Sequence, residues 1–119
     1  MSKWFKESEM ACKCGKCGGK VKVCPELWDL MDAVRDAVGH PLVPTSGYRC
    51  ELHPVEAAKA RPGEHTYGCA VDLPATNDRD RFLMVREAII KGCTRIGIGA
   101  TFIHLGLKKE FPQDVIWLY

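Results

Sequence analysis

Two sets of side chains in this sequence have the chemistry of metal ligands. One is His65, Asp72 and His104. Imidazole nitrogen and carboxylate oxygen suit zinc, and three such ligands leave a fourth position open for water. That open position separates a catalytic zinc from a structural one. The other set is the cysteines: Cys12, Cys14, Cys17, Cys24, Cys50, Cys69 and Cys93. Cys12-Lys13-Cys14-Gly15-Lys16-Cys17, with Cys24 following, is dense enough to be one site. Cys14-x-x-Cys17 has zinc-knuckle spacing, and Gly15, Gly18 and Gly19 supply the turns that let thiolates converge on a metal at ~2.3 Å. A second Cys-x-x-Cys is missing, so an incidental glycine- and lysine-rich loop is the competing reading. Cys50 reads either as a distant fourth ligand or as a disulfide partner. Cys69 and Cys93 read as small buried residues.

The elements that must position these groups follow from periodicity. Pro25 stands where a helix begins, and Leu27, Leu30, Met31, Val34 and Val38 recur at helical spacing, so residues 25 to 38 are expected to be an amphipathic helix ended by Gly39. Residues 42 to 46 form a short extended piece. Residues 47 to 67 form a long loop with a turn of helix near residues 55 to 58, and loops of this length in compact domains are usually functional. Residues 69 to 73 alternate as a strand. Thr76 or Asn77 caps a second helix over residues 78 to 91, with Phe82, Val85, Ala88 and Ile89 on its buried face. Residues 95 to 98 and 102 to 107 read as a hairpin, and residues 115 to 119 as a terminal strand or tail. The expected class is α+β, a small antiparallel sheet with flanking helices. By period two, Asp72 lies opposite in face to Val71 and Leu73, and His104 opposite to Ile103 and Leu105. If these strands are neighbours, Asp72 and His104 emerge together on the free face. The turn across Gly68 can then fold His65 back over them.

Composition limits the alternatives. The chain has 119 residues, 46% hydrophobic and 27% charged, which excludes disorder and fits a single domain over residues 1–119, with residues 1–24 a Cys/Gly/Lys-rich segment. Lys+Arg 17 against Asp+Glu 15 leaves +2, too little for a global field toward nucleic acid or membrane. No apolar run reaches the roughly 18 residues of a spanning helix. The first eight residues lack the apolar core of a signal peptide, so cytoplasmic synthesis and reduced thiols are expected. The chain is expected to act as a monomer, without nucleic acid or membrane as partners.

His65-Thr66-Tyr67-Gly68-Cys69-Ala70-Val71-Asp72 resembles the H-x-x-G-x-A-x-D motif of the zinc D-Ala-D-Ala carboxypeptidase family, whose fold is shared with hedgehog N-terminal domains. Ser46-Gly47-Tyr48-Arg49 is similar to the S-G-Y-R segment before that motif. Gly97-Ile98-Gly99 through Phe102-Ile103-His104 is similar to the family's last block. Order and spacing agree over most of residues 8 to 107. The resemblance implies Zn2+ bound by His65, Asp72 and His104, with Arg49 pairing a substrate carboxylate, a role suited to the planar guanidinium. It also implies hydrolysis of peptidoglycan stem peptides, at D-Ala-D-Ala termini or at internal bonds.

The chain departs from the family where Gly63 replaces a frequent Ser, where Gly106 replaces the Asp of F-x-H-x-D, and where residues 98 to 101 hold no carboxylate. The general base is therefore not identified, with Glu64 and Glu110 as the stand-ins. His53 is expected exposed and Tyr48 packed. Zinc would polarise the scissile carbonyl and lower the pKa of its water toward ~7. Synthesis without export fits a phage lysin or virion-associated enzyme acting at the bacterial cell wall. The alternatives are an inactive zinc-binding relative with a wall-binding or structural role, and a zinc-knuckle nucleic-acid module built on Cys12 to Cys24 and its lysines.

Overall fold

A computed structural model describes residues 2–59 and 62–119 of the chain. Helix α1 (Pro25–Val38) starts at the proline and ends where Gly39 turns left-handed at φ 78°. Its stripe Leu27, Leu30, Met31, Val34 and Val38 is buried together with Trp28. Each such side chain contributes roughly 1.5–3 kcal/mol on full burial. A single turn, α2 (Pro54–Ala57), interrupts the long loop, and Ala60 and Arg61 of that loop lie outside the described residues. A 3-10 turn, Glu64–Tyr67, leads into strand β1 (Ala70–Pro74). Helix α3 (Asp78–Ile90) follows, capped by the Asn77 side chain, which accepts from Asp80 N–H. Strands β2 (Arg95–Ile98), β3 (Phe102–Gly106) and β4 (Val115–Leu118) complete the chain.

The sheet order is β1-β3-β2-β4. The hairpin β2–β3 and the β1–β3 pair are antiparallel, as expected. The C-terminal segment adds a parallel edge on β2, so the sheet is mixed. One face carries Val71, Leu73, Ile96, Ile103 and Leu105, buried with the apolar stripes of both helices in one core. The opposite face carries the chemistry.

The buried side of α3 differs from the expected one. Leu83, Met84 and Ala88 are buried, whereas Phe82 is 62% and Ile89 52% exposed. The helix admits two overlapping apolar stripes, and Asp80 selects between them. This carboxylate is buried, accepts from Asn77 Nδ2 at 3.1 Å and pairs with His40 Nε2 at 2.7 Å. Fixing Asp80 inward brings Met84 and Ala88 inward with it at i+4 spacing.

The cysteines also depart from expectation. Cys24 and Cys69 form a disulfide, with Cα atoms 5.2 Å apart and a sequence separation of 45. Cys24 therefore does not join the cysteine cluster, Cys69 is not simply a small buried residue, and not every thiol is reduced. The bond ties the start of α1 to the residue before β1. Cys93 is buried as a free thiol.

Candidate metal centre

The β-sheet register places Asp72 directly opposite His104, His104 opposite Gly97, and Gly97 opposite Trp117. These four positions form one row across the sheet on its polar face. Asp72 Oδ1 lies 2.9 Å from His104 Nδ1. His65 arrives from the 3-10 turn, which Gly68 closes at φ 72°, and its Nε2 lies 3.4 Å from the same carboxylate oxygen. A ligand atom from each of the three side chains lies within 4.8 Å of the other two. The residues are 4%, 8% and 5% exposed for His65, Asp72 and His104.

Each imidazole is held by its far nitrogen. His65 Nδ1 is 2.7 Å from Gly47 O, and His104 Nε2 is 2.9 Å from Glu64 Oε1. A carbonyl oxygen and a carboxylate can only accept, so these nitrogens carry the protons. The neutral tautomers then turn the lone pairs of His65 Nε2 and His104 Nδ1 toward Asp72 Oδ1. Whatever bridges these three facing atoms is positively charged, a proton or a metal ion. The donor set, two neutral imidazoles and a carboxylate with outer hydrogen-bond partners, suits Zn2+.

Protons in that place leave their mark on the titration of all three groups around it. Burial raises the Asp72 carboxyl, but hydrogen bonds from His104 and His65 outweigh it and hold the group well below the usual carboxylate range. Burial opposes a charged His104, yet hydrogen bonds to Asp72 and Glu64 raise it above the ordinary histidine value. For Glu64, burial is again outweighed, here by His104 and Arg95, and its acidity is increased.

Glu64 was legible in the sequence only as a possible base. The structure gives it other partners: His104, the Arg95 guanidinium at 2.9 Å and Lys108 N–H at 3.4 Å. Gly106 makes this possible, because a Cβ there would overlap the Glu64 carboxylate. The glycine in place of an aspartate thus vacates the space that Glu64 fills. Glu110 is exposed and pairs with Lys108 at 3.2 Å.

Arg49 reaches the site from the segment along the outer edge of β1. Thr45 N–H donates to Asp72 O, Asp72 N–H to Ser46 O, and Arg49 N–H to His65 O. Its Nε donates to Ser46 Oγ at 3.0 Å, one terminal nitrogen pairs with Glu56 at 3.2 Å, and the other lies 3.6 Å from Asp72 Oδ2. Beside it opens a cavity of about 170 Å³ lined by Lys13, Thr45, Ser46, Arg49 and His53. A larger cavity, about 450 Å³, is lined by Tyr48, Glu56, Lys59 and Tyr67 and by none of the three clustered ligands. His53 is half-buried rather than exposed, and its Nδ1 caps α2 by accepting from Val55 N–H. Tyr48 is half-buried, and its N–H donates to Met10 O.

Trp117, with its ring centroid 5.4 Å from that of His104, was not foreseen as a site residue. Period two from Val115 would have put it on the polar face, but the pairing of β4 with β2 was needed to bring it near.

An α+β domain presenting two imidazoles and a carboxylate on one sheet face, with an arginine alongside, defines a zinc metallohydrolase. A model of the peptidase M15 family matches residues 3–106, and the chain belongs to that family. It is a zinc-dependent peptidase of the peptidoglycan-cleaving kind. No curated protein matches the chain. Among the described residues no helix is long and apolar enough to cross a membrane.

Proposed function

We propose that the chain cleaves peptidoglycan stem peptides next to a substrate carboxylate that Arg49 holds, acting at the bacterial cell wall as a single domain. The observation that supports this most is the position of Arg49, with one terminal nitrogen 3.6 Å from the ligand Asp72 and a cavity beside it. Bound zinc supplies Lewis acidity toward the scissile carbonyl and toward water.

The chain's own residues do the rest. His65 Nε2, Asp72 Oδ1 and His104 Nδ1 are the donors that would hold the ion, and Gly47 O and Glu64 fix the two rings. Ser46 and Glu56 orient the guanidinium, so its fork meets a carboxylate without first being ordered. Glu56 is itself engaged by Arg49, Lys59 Nζ and Gly63 N–H, and Glu64 by His104, Arg95 and Lys108 N–H. Both carboxylates are therefore positioning residues.

Digestion of purified cell walls with the zinc-loaded chain, with product ends identified, tests the proposal. Release of free D-Ala marks the terminal bond, and new amino termini within cross-linked peptides mark an internal one. Arg49→Lys is expected to lower kcat/KM by at least about tenfold, because a point charge replaces a bidentate fork. Unchanged turnover in this variant would remove Arg49 from substrate binding.

A further inference from the structure

Residues 11–24 contain no helix or strand, yet Cys12 and Cys14 meet Cys50, the residue after Arg49. Something other than regular secondary structure must hold them there. We propose that Cys12, Cys14, Cys17 and Cys50 form a second, structural zinc site distinct from the His65–Asp72–His104 centre.

The four sulfur atoms all lie within 4.8 Å of one another. A tetrahedral tetrathiolate with Zn–S of ~2.3 Å places its sulfurs about 3.8 Å apart. Cys14 Sγ and Cys50 Sγ are 3.5 Å apart, close to that spacing and well beyond the ~2.05 Å of a disulfide. Two backbone amides donate onto the sulfurs: Lys16 N–H to Cys14 at 3.3 Å and Cys50 N–H to Cys12 at 3.2 Å. Such donors stabilise thiolates and are the outer partners of a metal ligand.

The loop is shaped for the same end. Gly15 and Gly18 have φ 76° and 73°, and a Cβ on either would meet nothing within 4 Å. Glycine is there for the left-handed turn and not for space, which lets Cys14 and Cys17 face one point. Zinc with four thiolates carries two net negative charges. Lys13, Lys16 and Lys20 lie in the same segment and offset them. A cluster of sulfur ligands alone selects zinc over the oxygen-seeking cations.

The consequence is architectural. Cys50 follows Arg49 directly, and Tyr48 N–H donates to Met10 O at 2.8 Å. The ion would pin the N-terminal segment to the strand-like stretch whose Gly47 carbonyl holds His65. It would staple a small domain that has little regular structure at this end.

Metal content and cobalt substitution test this on the full chain. The zinc-loaded wild type is expected to hold two ions per chain. With Co2+ as the probe, it should show thiolate-to-metal charge-transfer absorption in the near ultraviolet, which a His/His/Asp centre cannot produce. His65→Ala should lose one ion and keep those bands. Cys14→Ser with Cys17→Ser should lose the other ion and the bands. If that variant does not fold, titrating wild-type thiols with a mercurial while following released zinc with a chromophoric indicator gives the same answer, with release tracking about four thiols. Cobalt binding without thiolate bands, or recovery of these four cysteines as disulfides, overturns the proposal. A wild type that holds one ion and still shows the bands would count against the peptidase centre alone.

Discussion

His104 is held from both sides, and the side away from Asp72 decides its tautomer. Glu64 accepts from Nε2 at 2.9 Å and is itself braced by Arg95. A carboxylate accepting from the far nitrogen of a metal-binding imidazole raises the ligand's basicity and orients the ring. Glu64→Gln preserves size but removes the charge, and its amide can present a donor to Nε2. That would favour a proton on Nδ1, where the metal lone pair is needed. Zinc affinity, measured by competition with a chromophoric chelator, is expected to fall roughly 10–100-fold. Unchanged affinity would show that the ring is oriented by the strand alone. Gly106 belongs to the same argument, since the carboxylate sits where any larger side chain would be.

At the scale of elements, β4 brings an aromatic side chain to the polar face, and Gly97 on β2 admits it. A Cβ on Gly97 would lie 2.7 Å from Trp117 Nε1 and 2.6 Å from Tyr119 Cε2. Gly97→Ala must push these rings aside and loosen the contact between Trp117 and His104. Overpacking of this kind costs about 1–3 kcal/mol, measurable by urea denaturation. Helix α3 supplies a pH-dependent contact. The His40 imidazole is raised by its hydrogen bond to Pro41 O and then by Asp80, while Asp80, despite burial, is lowered by His40 and Asn77. A raised histidine contributes fully below its unfolded value of about 6.5 and loses that contribution as pH rises through the folded value. A lowered aspartate contributes fully above about 3.9 and loses it as pH falls. The pair is therefore strongest in mildly acidic solution. The stability difference between wild type and His40→Ala should shrink as pH rises past neutrality, and a difference that grows would contradict the pairing.

Across the whole molecule, a single disulfide links residues 24 and 69, closing a loop that contains the Arg49 segment, α2 and His65. Cross-linking a loop of that length restricts the unfolded chain by about 4 kcal/mol on the entropic model. Replacing both cysteines, Cys24→Ala with Cys69→Ala, is expected to lower unfolding stability by roughly 2–4 kcal/mol. The check is a denaturation midpoint at constant zinc. A loss under about 1 kcal/mol would mean that the unfolded chain is already constrained here or the bond strained.

Much of this was readable residue by residue. Helix α1 carries its own start, stripe and stop: Pro25, the Leu27 to Val38 spacing and Gly39. The alternation in β1 and β3 put Asp72 and His104 on one face, because strand side chains alternate whatever the strand packs against. The rest depended on partners distant in the chain. The rotation of α3 was decided by a buried Asp80 that meets His40 on another segment, and local periodicity cannot see that meeting. Cys24 could equally have served a metal; only the 5.2 Å approach of its Cα to that of Cys69 assigned it to a disulfide. Glu64 and Trp117 entered the site through a 3-10 turn and a parallel edge strand, both set by long-range pairing. Ligand types and their spacing are local chemistry, and the sequence alone determined them. Which nitrogen of each imidazole faces the ion, and what holds it so, are questions of contact across the fold, and only the tertiary structure answered them.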